Sequence, residues 1–237
     1  EWGRVVARLV RLTGDWATAE DCAQEAFAAA ASAWEREGVP ERPGAWLTTT
    51  ARHRALDRLR RASTEARKLR ELAAEQLGPD PDGSFSEESD ESSVDDDVLR
   101  LLFTCAHPAL AIESRVALTL RTLCGMSVAE IARAFGVSEA AMDKRLVRAR
   151  AKIKHARIPY RVPASHELPG RLAGVLAVLY LLFAEGYAAT TGESVVRASV
   201  TAEAIRLTRL LARLMPDERE VLGLLALELA HDARSAA

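Results

Sequence analysis

Cysteine is scarce in this chain. Cys22, Cys105 and Cys124 are scattered over 237 residues and odd in number, which excludes a disulfide framework and fits a reducing compartment. Aromatic residues make up only 5%, and stretches that alternate Val, Thr or Tyr with polar residues are few, which argues against a sheet. The five histidines form no cluster. No Ser/His/Asp set, Gly-rich phosphate loop or carboxylate pair stands at a useful spacing, so no catalytic site, cofactor or metal is expected. The longest apolar run, 172–184, is too short to span a bilayer. No signal peptide is visible, although the first residue is Glu1 rather than Met. These absences leave a cytoplasmic protein with no membrane partner that is not an enzyme.

What is present is Ala, Leu, Arg and Glu at helical spacing, so an all-α fold is expected. The formal net charge of −2 hides a strong segmentation. Residues 71–99 carry 11 acidic and no basic side chains, whereas residues 100–163 carry 12 basic and 4 acidic. Residues 1–70 are also basic on balance. Two basic blocks around an acidic spacer predict two contacts with a polyanion.

The spacer "GPDPDGSFSEESDESSVDDD" (78–97) has little to bury and reads as a flexible linker. It divides a helical unit over 1–77 from a second over 98–158, which the proline-rich 157–170 ends. Three further helical stretches, near 168–186, 200–214 and 217–231, make up a C-terminal extension over 159–237. The last two resemble one helix pair of a tetratricopeptide-like array. Such arrays need several stacked pairs, so the extension is expected to be a truncated piece.

The most informative stretch is "MSVAEIARAFGVSEAAMDKRLVRARAKIK" (126–154). Ser127 and Glu130 have the spacing of a capping box. Val128, Ile131, Ala132 and Phe135 share one helical face. Gly136 suits a sharp turn and Ser138 suits the cap of a second helix. There Met142, Leu146, Ala149 and Ile153 form the buried stripe, and Ala140, Ala141, Lys144, Val147 and Arg148 the opposite side, flanked by Asp143 and Arg145. This is a helix-turn-helix, whose second helix enters the major groove. Lys144, Arg145 and Arg148 are candidates for base edges or nearby phosphates. Arg150, Lys152 and Lys154, with Arg157, would mostly meet phosphate.

Two N-terminal stretches complete the pattern. In "PGAWLTTTARHRALDRLRR" (43–61), Leu47, Ala51, Ala55 and Leu59 recur every four residues and predict a core face. Trp46, Thr50, His53 and Asp57 fall opposite, with Arg54, Arg60 and Arg61 near. That face suits unpaired bases, although Trp46 in a core with solvated arginines fits equally well. In "ATAEDCAQEAFAAAASAW" (17–34), Glu20, Asp21, Gln24 and Glu25 cluster at the helix start, where the dipole favours acid. A partner surface rich in arginine would explain them equally. Cys105 and His107 make no tetrahedral metal set and read as a buried thiol and a capping imidazole. Gly186, Tyr187 and Gly192 read as a turn between helices.

The order of these pieces resembles sigma factors of the extracytoplasmic-function (ECF) group of the sigma-70 family. The resemblance covers residues 1–158 and rests on "AEDCAQEAF", "PGAWLTTTARHRALDRLRR" and "VALTLRTLCGMSVAEIARAFGVSEAAMDKRLVRARAKI". It implies an alternative sigma factor that binds core RNA polymerase and directs promoter recognition, strand opening and initiation. Asp21, Gln24 and Glu25 would then meet the clamp helices of the largest polymerase subunit. Trp46, Thr50, His53, Arg54, Asp57, Arg60 and Arg61 would hold the minus-10 element. Ser138, Ala140, Ala141, Asp143, Lys144, Arg145 and Arg148 would read minus-35 duplex, with the second domain near the polymerase flap. The acidic linker would thread toward the RNA exit. His53 stands where the family often has Asn. The extension, with "LLFTCAHPAL" (101–110) before it, resembles a subgroup with a long helical tail, and would contact the sigma domains or a regulatory partner. Ala106 and Ala184 stand where many relatives have Cys and Asn. The alternative from another class is a free-standing helix-turn-helix regulator with a sensing tail.

Overall fold

The structure is a computed structural model that describes residues 1–73, 91–188 and 194–235. Among the described residues all regular structure is helical. The helices are α1 (Trp2–Thr13), α2 (Trp16–Glu37), α3 (Pro43–Ala73), α4 (Glu91–Cys105) and α5 (Ile112–Thr122). They continue with α6 (Val128–Ala134), α7 (Glu139–His155), α8 (Leu168–Ala188), α9 (Ser194–Leu214) and α10 (Arg219–Ser235).

Helices α1, α2 and α3 form the N-terminal bundle. Val5, Val6, Leu9 and Val10 of α1 pack with Ala19, Cys22, Ala23 and Ala26 of α2 and with Leu47, Ala51 and Ala55 of α3. The small side chains of α2 and α3 let the two backbones lie close together. Gly14, at φ 64°, takes the left-handed conformation that ends α1, and Asp15 then caps α2 by accepting the Thr18 N–H at 2.8 Å. The fourth predicted core residue, Leu59, is 37% exposed. By that turn α3 has run past its neighbours, and residues 59–64 are all exposed.

The acidic stretch expected as linker is partly helix. Residues 91–97 form the first two turns of α4, and the remainder, 78–90, lies outside the described residues. The reason is local pairing. Asp97 is buried and meets Arg11 of α1 at 3.1 Å and Arg100 at 3.8 Å, while Asp95 meets Arg4 at 3.8 Å and Arg213 of α9 at 3.5 Å. These aspartates therefore dock α4 on α1 instead of repelling one another in solvent.

Helix α4 packs along α1, and α5 reaches it too. At Gly3 a Cβ would stand 2.7 Å from the carbonyl oxygen of Leu123, so only glycine allows that approach. Tyr160, after α7, donates to the Ala7 carbonyl at 2.8 Å, close to that of Asp97 at 3.3 Å. The two basic units are thus packed on each other.

Helices α8, α9 and α10 stack in sequence, and α8 lies on α5. The span Leu168–Tyr187 is long and apolar enough to cross a membrane, longer than the run visible in sequence. Here Leu172, Val175, Val178, Leu179, Leu182 and Phe183 of that helix are buried, and α8 packs on α5 and α9. Arg171 ties the start of α8 to the second unit by donating to the Phe103 carbonyl at 3.1 Å. Tyr187 stacks on Phe183 and meets His231 edge-on, so it belongs to this packing; Gly192 lies outside the described residues.

Candidate nucleic-acid and polymerase interfaces

The helix-turn-helix is built as its sequence dictates. Ser127 Oγ accepts the Glu130 N–H at 3.2 Å, and the Glu130 carboxylate accepts the Ser127 N–H at 2.7 Å, closing the capping box of α6. The Ser127 hydroxyl and backbone bonds hold the Glu130 carboxyl below its ordinary range. Gly136 makes the turn at φ 63°, and Ser138 caps α7 through the Ala141 N–H at 3.3 Å. Ile131, Ala132, Met142, Leu146, Ala149 and Ile153 are all buried, and Val128 and Phe135 pack against them.

That burial fixes the outward face of α7. Ala140, Ala141, Asp143, Lys144, Val147 and Arg148 are exposed, as are Ser138 at the cap and Lys152 and Lys154 further along. Arg145 is half-buried because its guanidinium lies over the Phe135 ring, 5.5 Å from the centroid. Arg148 donates from Nε to the Lys144 carbonyl at 3.1 Å and keeps its remaining donors outward. The arrangement is a preorganised cationic surface on a rigid helix, suited to phosphate and base edges.

Arg150 departs from this pattern. It was expected to meet phosphate, yet it turns inward and pairs with Glu20 of α2. Arg121 of α5 meets the other oxygen of the same carboxylate at 3.0 Å. Sequence alone could not pair residues so far apart.

The N-terminal face differs again. Asp21, Gln24 and Glu25 lie on α2, but none falls in its first turn, so the dipole is not their reason. Glu25 accepts from Arg54 at 2.9 Å and from Arg58, which also reaches Asp21 at 3.2 Å. Burial pushes the Glu25 carboxyl up, but the bonds from Arg54 and Arg58 outweigh it and hold it below its usual range. Arg54 and Arg58 of α3 thus give Glu25 and Asp21 partners within the chain. Arg54, expected at unpaired bases, accordingly faces α2.

Of the other expected base-holding residues, His53, Asp57, Arg60 and Arg61 are exposed, with Arg60 and Asp57 3.7 Å apart, and Thr50 is half-buried. Trp46 is half-buried and packs edge-on against Trp34, centroids 5.6 Å apart. The packing half of the expectation is seen, with the ring against Trp34. One side of the ring belongs to the core and part remains accessible. Arg58 and Arg121, missed in the sequence, are the residues that organise the acids of α2.

Cys105 is buried beside the Thr122 hydroxyl at 3.4 Å, and burial pushes its thiol up to about 12. His107 accepts the Ala109 N–H through Nδ1 at 3.1 Å, a cap at the end of α4.

Comparison with known proteins matches three segments of the chain. Residues 2–65 match the model of sigma-70 region 2, residues 100–153 that of sigma-70 region 4, and residues 171–237 a family of unknown function, DUF6596. No solved structure matches. An uncharacterized protein of Rhizobium meliloti, R00370, is 43% identical over 237 residues, 99% of this chain and 55% of its own length. A probable ECF RNA polymerase sigma factor of Mycobacterium tuberculosis, SigI, is 33% identical over 163 residues, 68% of this chain and 54% of its own length. The chain thus spans about half the length of these two relatives. The ECF RNA polymerase sigma factor SigL of the same species is 33% identical over 138 residues, 58% of this chain and 73% of its own length. With regions 2 and 4 present in order and a sigma factor of this group matched over most of its length, the chain belongs to the ECF group of the sigma-70 family.

Proposed function

We propose that this chain binds core RNA polymerase and directs promoter recognition, strand opening and transcription initiation as a non-enzymatic subunit. The observation that carries the reading is the outward cationic face of α7, fixed by a fully buried stripe on its other side. Lys144, Arg145 and Arg148 read minus-35 duplex, with Lys152 and Lys154 on phosphate. The exposed part of the α3 face, from Trp46 through Thr50 and His53 to Asp57, Arg60 and Arg61, holds unstacked minus-10 bases. Asp21 and Gln24 of α2 are exposed beside Glu25 and supply the contact with the clamp helices of the largest subunit. The extension contacts the second unit through α5 and α8 and adjusts access to these faces.

The test is co-purification with bacterial core RNA polymerase, by wild type and by Asp21→Arg. The Asp21 side chain is 60% exposed, so the reversal leaves the core intact. A stable wild-type complex, weakened at least tenfold by the reversal, is expected. Failure of the wild type to bind core polymerase, together with tight binding to a palindromic duplex, would replace this reading with that of a free-standing regulator.

A further inference from the structure

The Glu20 carboxylate of α2 faces the second unit. Its side chain is only 6% exposed, and a carboxylate so buried needs a partner. It has two. Arg121 donates from Nε at 3.0 Å and from Nη1 to the Met126 carbonyl at 3.0 Å, just ahead of α6, while Arg150 donates from Nη2. Arg150 lies on α7, the helix read above as the one that meets duplex, in a stretch whose neighbours Lys152 and Lys154 are exposed. Near by, Lys154 and Arg150 add to the Thr18 bonds that lower the Asp15 carboxyl at the α2 cap. Two carboxylates at the start of α2 therefore face the cationic C-terminal half of α7.

Arg150 gives its Nη2 to the carboxylate, its Nε is buried, and its side chain is only 23% exposed, so little of the guanidinium is presented to a phosphate. DNA phosphate is the other strong anionic partner available to it. We propose that Glu20 is an internal phosphate mimic, a latch that holds Arg150 and closes the polymerase-docking helix α2 onto the duplex-binding helix α7 until DNA phosphate displaces it. This autoinhibitory contact belongs to the two sigma units themselves, and it rests on the reading of α7 as the duplex-contacting helix.

The experiment is a double-mutant cycle in which binding of a fluorescein-labelled 30-base-pair duplex is followed by anisotropy across a salt series. Glu20→Gln is expected to bind roughly three- to tenfold tighter than wild type, with a salt slope steeper by about 1. Arg150→Gln on the wild-type background is expected to change little, because Arg150 is already occupied. On the Glu20→Gln background the same change should cancel the gain. An equal loss from Arg150→Gln on both backgrounds, or no gain from Glu20→Gln, would overturn the latch. Amide hydrogen exchange of unmodified protein gives a readout that does not depend on variants folding. Added duplex should speed exchange in residues 16–37 and 116–122, and unchanged exchange with DNA bound would also overturn the latch. Absence of duplex binding by wild type and Glu20→Gln alike would overturn the reading of α7 and the latch with it, an outcome distinct from wild-type binding without coupling.

Discussion

The acids and arginines of α2 and α3 and the cations of α7 look alike in sequence, yet the fold uses them differently. On α2 and α3 the charges meet one another, with Arg54 and Arg58 on Glu25 and Arg58 also on Asp21. On α7, Lys144, Arg148, Lys152 and Lys154 face outward, and the helix's two acids, Glu139 and Asp143, are exposed in its first two turns. The difference is geometric. Helices α2 and α3 pack side by side with small residues between them, which brings their charged edges together. Among the described residues no helix covers the outward side of α7 at Lys144 and Arg148, which are exposed. A run of arginines therefore does not announce a binding surface until the neighbouring helix is known.

The strongest way to break this comparison is to remove what holds α7 in place. Met142 is completely buried, so Met142→Ala is expected to cost about 2–5 kcal/mol of stability, read by thermal or urea denaturation. Duplex binding should fall with it, because the cationic face is presented only by a seated helix.

The extension supplies an opposite limit, a buried carboxylate with no cation bonded to it. Glu228 on α10 is fully buried, its bonded partner is the Thr208 hydroxyl at 3.1 Å, and burial pushes its carboxyl up to about 7. Because Thr208 also donates to the Ala204 carbonyl at 3.0 Å, a protonated Glu228 satisfies the chain of bonds best. The folded state holds its proton more tightly than the unfolded chain, whose ordinary value is 4.5. The contribution is thus fully present below 4.5, falls as pH rises to about 7, and is flat above. Denaturation midpoints should show wild type losing on the order of 3 kcal/mol across that window, and Glu228→Gln losing little of it.

The smallest effect sharpens the original contrast. Arg54→Gln breaks an exposed ion pair with Glu25 and should lower stability by about 0.2–1 kcal/mol while leaving affinity for duplex DNA unchanged. Lys144→Gln should do the reverse, with stability unchanged and the salt slope of duplex binding reduced by about 1. Equal effects of the two changes on DNA binding would erase the distinction between the faces.

The helix-turn-helix was legible nearly residue by residue. Its caps, turn glycine and buried stripe depend on spacings of three and four residues along one chain segment. The same local logic reached Leu47, Ala51 and Ala55 but not Leu59, because no sequence pattern says where the neighbouring helices end. It also misassigned residues 91–97. High acidity reads as repulsion unless the arginines that neutralise it, Arg4, Arg11 and Arg213, are seen to converge.

Sequence by itself determined most of the helices and the outward side of α7, since these follow from capping, periodicity and short-range pairing, and the order of its motifs carried the resemblance to the two sigma regions. Tertiary structure alone decided which charges remain available. Glu20 and Arg150 are 130 residues apart, and their pairing exists only because α1 carries the second unit onto the first. Electrostatic partnership depends on distance in space and on burial, and neither is written in the spacing of residues along the chain.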